Sequence, residues 1–189
     1  LTDEEYTAAR RSTQYAHYTS EGVIRSIYGA LERLGFGGGN VLEPGMGIGL
    51  FKGLMPDGIA ANSRYHGIEH DPLTGAIAKA LYPQSRIQVG DFTETALPKD
   101  HYDAAIGNPP FSSSKVLNDP EYRGRAFMLH DYFFAKTIDR VKPGGLVVFV
   151  TSKGTMDKGS DRARKYMADR ADLLGAIRLP QTAFKDNAG

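Results

Sequence analysis

The sequence predicts an α/β domain built on a mainly parallel sheet, and three observations carry that expectation. Short apolar runs alternate with segments of helical periodicity along most of the chain. A glycine-rich turn, Gly45-Met46-Gly47-Ile48-Gly49, follows the first of these apolar runs directly and opens a helical pattern. The composition is that of an ordinary globular domain, 41% hydrophobic and 24% charged over 189 residues, which suits one domain with a sizeable core.

The elements follow in order. From Ser20 onward, Val23, Ile24, Ile27, Tyr28, Leu31 and Leu34 recur at helical spacing, and Gly35 stops that helix. Strands are predicted over 40–43, 65–69, 87–89, 104–107, 146–151 and 174–179, six in all. The intervening helices are predicted over 49–54, 73–81, 127–141 and 160–171, the third burying Phe127, Phe134, Ile138 and Val141. Strands that alternate with helices in this way pair in parallel, with the helices covering both faces as a three-layer sandwich. Residues 112–125 are polar and lack any period, so they read as a long loop of functional or mobile character.

Charge and cysteine content exclude several classes. With 23 Lys and Arg against 22 Asp and Glu, the net charge of +1 is not that of a protein that coats a polyanion. The longest apolar run, 146–150, is far short of the roughly 20 residues of a membrane-spanning helix. No signal-like segment opens the chain, so a cytoplasmic protein with no membrane partner is expected. The absence of cysteine excludes disulfides and thiolate metal sites, and the five histidines are dispersed without ligand-like spacing, so no metal is expected.

Each of the first four strands ends in residues suited to a ligand crevice. Glu43, ahead of the glycine turn, would repel a pyrophosphate and attract an ammonium group. The G-x-G-x-G spacing, with Leu50 next, also misses the third glycine of the dinucleotide fingerprint. Together these favour an adenosyl ligand with a zwitterionic amino-acid tail over a nicotinamide dinucleotide. Glu69, ending the second strand, can accept both hydroxyls of a ribose. After the third strand, Asp91 can accept from an exocyclic amine and Phe92 can lie against a purine, although an Asp-aromatic pair in that position is also a common cap beside a core residue.

Asn108-Pro109-Pro110-Phe111 at the end of the fourth strand is the most informative stretch. Two prolines remove backbone donors and restrict φ, so the carbonyls near Asn108 and Pro109 are held in a fixed direction. One such carbonyl and the Asn108 side-chain oxygen can accept both hydrogens of a planar NH2 group. That draws the nitrogen lone pair out of ring conjugation and makes a poor nucleophile competent to attack an electrophilic methyl. Phe111 would stack on the ring that bears the amine.

These motifs, in this order, resemble those of the S-adenosylmethionine-dependent amino methyltransferases, specifically the adenine-N6 DNA class, over almost the whole chain. Tyr18-Thr19-Ser20 resembles the Tyr/Phe-Thr-Pro motif that such enzymes place ahead of the first helix, with Ser20 where proline is usual. The resemblance implies a Rossmann-like class I methyltransferase fold spanning 1–189 as one catalytic domain, with S-adenosyl-L-methionine as cofactor and DNA as substrate. It implies that Thr19 binds the methionine carboxylate, with Glu43 near the amino end, Glu69 on the ribose, Asp91 on adenine N6 and Phe92 on the adenine ring. Pro44, Gly45, Gly47, Gly49, Asp71 and Asn108 would complete the cofactor wall, and Asn108 to Phe111 would form the catalytic tetrapeptide. The runs 129–136 and 178–184 resemble methylase modules of large phage- or plasmid-borne polypeptides that also carry a helicase, which implies a helicase or target-recognition region as a partner.

Lys115, Arg123 and Arg125, on the loop after Phe111, are the expected nucleic-acid contacts. The basic residues of 153–170 are interleaved with Asp157, Asp161 and Asp169 and read as a solvated helix face with i,i+4 pairs. His130 and Asp131 read as structural. Since the resembled fold adds a seventh, antiparallel strand between the fifth and sixth, the chain is expected to stop just before it, leaving 174–179 without a sheet neighbour. A protein glutamine amide and guanine N2 in RNA also present a planar NH2, and a silent cofactor- or nucleic-acid-binding module is a further alternative. The Tyr18-Thr19-Ser20 position ahead of the helix favours DNA.

Overall fold

The computed structural model describes residues 19–180. Helix α1 (Glu21–Arg33) precedes β1 (Gly39–Pro44), the short helices α2 (Leu50–Gly53) and α3 (Asp57–Ala61), β2 (Ser63–Glu69), α4 (Pro72–Leu81) and β3 (Arg86–Val89). Then come β4 (Tyr102–Gly107), α5 (Leu129–Ile138), β5 (Val141–Phe149), α6 (Gly154–Asp157) and α7 (Arg162–Ala168). The five strands form one sheet in the order β3-β2-β1-β4-β5, with every neighbouring pair parallel. The chain enters at the centre, steps to one edge and returns beside β1, so the strand order reverses between β1 and β4. That reversal opens a crevice at the carboxyl ends of the strands.

Alternation along each strand divides the core in two. Val41, Tyr65, Ala104 and Ile106 meet Ile24, Tyr28 and Leu31 of α1 and Ala78 of α4 on one face. Leu42, Ile68 and Ala105 meet Tyr132, Phe133 and Ala135 of α5 on the other, with Ala163 and Tyr166 of α7 behind them. The three-layer parallel sandwich expected from the sequence is therefore present. Helix α1 buries a single stripe and stops at Gly35, whose φ of +87° takes the left-handed turn, while the Phe36 N–H closes back on Leu31 O at 2.9 Å.

Three expectations need correction. Residues 174–179 form no strand: the segment is irregular, with Leu174 67% and Ile177 89% exposed. A strand needs a ladder partner, and among the described residues none pairs with this segment, so its apolar pattern has nothing to pack on. The helix predicted over 127–141 spans only Leu129–Ile138, because Phe127 precedes it and Val141 already pairs with Tyr102 in β5. Its buried face differs as well. Phe134 and Ile138 are half-buried, whereas His130, Asp131, Tyr132, Phe133, Lys136 and Thr137 are buried. The helix is covered by the sheet on one side and by α7 and the 112–128 loop on the other, so no single apolar stripe could satisfy it.

That loop is not loose. Val116, Asp119, Tyr122 and Phe127 are buried. The Val116 N–H donates to Phe127 O at 2.9 Å, closing the loop on itself beside a Lys115–Met128 bridge. Asp119 Oδ2 accepts from Tyr132 Oη at 2.6 Å and from Lys136 Nζ at 3.0 Å, and Lys136 Nζ also donates to Phe92 O at 2.7 Å. A buried ammonium held by a carboxylate, a phenol and a carbonyl tolerates its burial only while those partners remain. Asp119→Ala should destabilise the protein by about 3–5 kcal/mol in denaturant unfolding. Asp119→Ala with Lys136→Met should recover most of that loss, since the second change removes the stranded charge.

Candidate active site

The carboxyl ends of β1 to β4 lie side by side and bring together the residues singled out from sequence. Gly45, Gly47 and Gly49 have φ of +71°, +58° and +86°, a conformation that strains residues with side chains. The loop they form is stitched to β2: Gly45 N–H and Met46 N–H both donate to Ile68 O, at 2.8 and 3.0 Å. Met46 is buried across Gly67, where any side chain would overlap its thioether. Glu69 completes the attachment. Its Oε2 accepts from Gly47 N–H at 2.7 Å and its Oε1 from Asp71 N–H at 2.8 Å. Each carboxylate oxygen has a second acceptor direction, so capacity for ligand hydroxyls remains. Asp71 caps α4, its Oδ1 accepting from Thr74 N–H at 2.7 Å.

Glu43 is 1% exposed and is packed on the face of α1. The Tyr65 hydroxyl donates a short hydrogen bond to its Oε2. Burial pushes the Glu43 carboxyl up to about 8, the Tyr65 bond pulls it back, and the nearby Glu69 charge adds to the rise. Tyr28 and Tyr65 are pushed up in turn, by burial first and by Glu43 second. A strand-end carboxylate was legible in the sequence; the tyrosine cage around it was not. Thr19, directly ahead of α1, is 5% exposed, and its Oγ1 has no hydrogen-bond partner among the described residues. Tyr18 lies outside the described residues, as do positions 181–184 of the run that ends in Phe184.

At the end of β3, Asp91 Oδ1 accepts from Thr93 N–H at 2.7 Å. Phe92 is 4% exposed and stacks on Phe133 at 4.6 Å, so one ring face belongs to the core. Beyond β4, Asn108 is half-buried, Pro109 buried, Pro110 exposed and Phe111 39% exposed. Gly107, with φ of +149°, precedes them, and a side chain there would come 3.4 Å from Glu43 Cγ. The tetrapeptide lies against the glycine loop: a Cβ on Gly45 would stand 3.5 Å from Pro110 Cδ and 3.9 Å from Pro109 Cα.

The expected nucleic-acid contacts separate. Lys115 is exposed at the bridge to Met128, and Arg123 is exposed on a 3-10 turn. Arg125 turns to α7, where its guanidinium lies 4.5 Å from the Tyr166 ring centre. There it shares an open groove of about 410 Å³ with Arg162, Lys165 and Arg170. Lys165 makes the i,i+4 pair with Asp161 at 2.9 Å that a solvated face implies. Lys158 departs from that pattern and pairs with buried Asp131. No cluster of three or more histidine and carboxylate side chains suited to a metal occurs among the described residues, and no helix there is long and apolar enough to cross a membrane.

A parallel 3-2-1-4-5 sheet with a glycine loop after β1 and an acidic residue at the end of β2 is the arrangement of the class I S-adenosylmethionine-dependent methyltransferase fold. A protein from Listeria monocytogenes assigned to that class matches 90% of this chain and 57% of its own, with a TM-score of 0.74 at 18% identity. A protein from Vibrio vulnificus YJ016 assigned as the modification subunit of a type I restriction enzyme matches 80% of this chain and 37% of its own, with a TM-score of 0.64 at 19% identity. The chain itself belongs to the Eco57I restriction-modification methylase family, whose pattern matches residues 67–184. It is also 28% identical over 175 residues to the Defense against restriction protein B of Escherichia phage P1, covering 90% of this chain. The chain spans 8% of that relative's length.

The Glu43 environment makes a prediction about pH. Its folded pKa of about 8 lies above the ordinary 4.5, so the folded state holds a proton that the unfolded state has lost between those values. Stability is therefore fully present below about 4.5 and falls as pH rises towards about 8. Glu43→Gln, neutral throughout, should remove most of that slope from the melting temperature measured across the same window.

Proposed function

We propose that this chain is an S-adenosylmethionine-dependent DNA methyltransferase acting on the exocyclic N6 amine of adenine. The observation that carries the reading is the close approach of the glycine loop, at Gly45, to Pro109 and Pro110 of the Asn-Pro-Pro-Phe tetrapeptide. A cofactor lying on the loop would present its methyl group to an amine held at Asn108.

The residues present fit the cofactor. Positive-φ glycines leave the loop backbone open to close approach, and Thr19 Oγ1 is a buried hydroxyl without a partner among the described residues; a carboxylate would supply one. Glu69 offers its remaining acceptor directions to two ribose hydroxyls while holding the loop. Asp91, at the end of β3, accepts from the adenine amine, and Phe92, buried against Phe133, supports that turn from the core. Pro44, Gly47 and Asp71 contribute backbone to the same rim. An ammonium group brought beside Glu43 favours its ionised form over the protonated one that burial favours. S-adenosylmethionine supplies an electrophilic methyl group carried on a sulfonium.

What the chain adds is position and polarity. Asn108 Oδ1 and a neighbouring backbone carbonyl accept the two amine hydrogens and localise the lone pair on nitrogen. Phe111, 39% exposed beside them, supplies a face for the base. A duplex adenine cannot reach such a pocket in its stack, so the nucleotide is flipped out. Lys115 and Arg123, exposed on the loop after Phe111, hold flanking phosphates, whereas Arg125 is engaged with Tyr166. The length of the phage relative, of which this chain spans 8%, supports a setting in which the unit works beside other regions of a longer polypeptide. The partner proposed there is a helicase or target-recognition region.

Mass spectrometry should detect N6-methyladenine after incubation with cofactor and mixed-sequence DNA. Product on a glutamine peptide or on RNA guanine instead would replace the substrate, and cofactor binding without transfer to any of the three would make the chain an accessory module. Asn108→Ala should lower turnover by about 100-fold or more with cofactor affinity nearly unchanged. Glu69→Ala should weaken cofactor binding by about tenfold or more in equilibrium titration, because it removes both the ribose acceptor and the clamp on the loop.

A further inference from the structure

Buried polar groups that the proposed reaction leaves unused cluster where the tetrapeptide runs on into the loop. His130, 7% exposed in the first turn of α5, has its Nδ1 3.1 Å from Ser112 O, one residue past Phe111. A carbonyl only accepts, so Nδ1 carries the hydrogen and donates. Nε2 is buried without a hydrogen-bond partner among the described residues, 3.6 Å from Asp131 Oδ1, which is itself unpartnered there. Asp131, 3% exposed, is held from its other oxygen by Lys158. The start of α6 lies beside the ring, since a side chain on Gly154 would stand 3.9 Å from His130 Nε2. The same strip of loop is joined to α5 twice more, by Leu129 N–H to Ser114 O at 2.9 Å and by the Lys115–Met128 bridge.

An imidazole with one nitrogen unsatisfied is a poor choice for filling space, because an apolar ring would fill it without an orphaned polar atom. What His130 does that an apolar ring cannot is hold the Ser112 carbonyl. Pro109 and Pro110 have no N–H to give, so the two residues ahead of Phe111 cannot donate to a neighbouring strand. We propose that His130 is a positioning residue for the target base: its hydrogen bond to Ser112 O sets the direction of Phe111 and so the wall against which the base stacks. This rests on the methyltransferase reading given above.

Three substitutions separate the positioning role from packing. His130→Asn keeps a donor near Nδ1, His130→Phe keeps the ring volume without the donor, and His130→Ala keeps neither. His130→Phe should lower kcat on DNA by about tenfold or more with the cofactor dissociation constant within about twofold of wild type. His130→Asn should recover most of kcat. Wild-type kcat in His130→Phe, or no advantage of Asn over Phe, would overturn the proposal. A second readout is independent of activity. The chain contains no tryptophan, so Phe111→Trp introduces a single fluorophore at the wall. Its anisotropy should be high with His130 or Asn at 130 and lower with Phe or Ala. Equal anisotropy in all four backgrounds would also overturn it, whereas absent methylation by wild type with the anisotropy difference intact would count against the methyltransferase reading alone.

Discussion

Two hydrogen bonds to one carboxylate hold the candidate site in shape. Gly47 N–H and Asp71 N–H converge on the two oxygens of Glu69, tying the loop after β1 to the turn after β2. Between β1 and α2 the chain passes through three left-handed glycines, a path that an unconstrained chain would leave for many others. The carboxylate, the two hydrogen bonds accepted by Ile68 O and the seat of Met46 on Gly67 together select one path. That path brings Gly45 onto Pro109 and Pro110, so the geometry of the target side depends on an acidic residue two strands away.

Burial of charge is the second constraint, and the protein treats its two faces differently. On the α1 face, Glu43 is surrounded by tyrosines and held largely as the neutral acid, which avoids an unpaired anion in the core. On the α5 face, charges are retained as partnered sets. Asp119 joins Tyr132 and Lys136, and Asp139 Oδ2 accepts from Tyr122 and Tyr166, both at 2.5 Å. These sets hold the loop after Phe111 against α5, so a segment without regular structure gains a defined path through side-chain hydrogen bonds instead of a backbone ladder.

The legibility of the fold followed the locality of its causes. Strand and helix positions came from runs of neighbours, and β1 to β5 all stood near their expected places. Helix 127–141 shrank to 129–138 because the Tyr102–Val141 pairing, 39 positions apart, claims the last residue for the sheet. The buried face of α5 could not be read from apolar period, since Lys136 and Asp131 are buried by partners that the sequence places far off. Glycine, Glu69 and Asn108 were visible because backbone conformation and strand-end position are local properties. The Tyr65 bond to Glu43 and the Ser112 bond to His130 were not, because both join residues brought close only by packing.

From the chain alone, the alternating periods imposed a parallel α/β sheet, and the residue types at four strand ends pointed to the proposed ligand. Those properties depend on neighbours within a few positions and on the chemistry of single side chains. Tertiary packing decided the rest: the ionisation of Glu43, the core position of the Phe92 ring and the drift of Arg125 towards Tyr166. It also left 174–179 outside the sheet despite an apolar pattern suited to a strand. Each of these turns on desolvation or on the availability of a partner, and both are properties of a three-dimensional neighbourhood that no stretch of sequence contains.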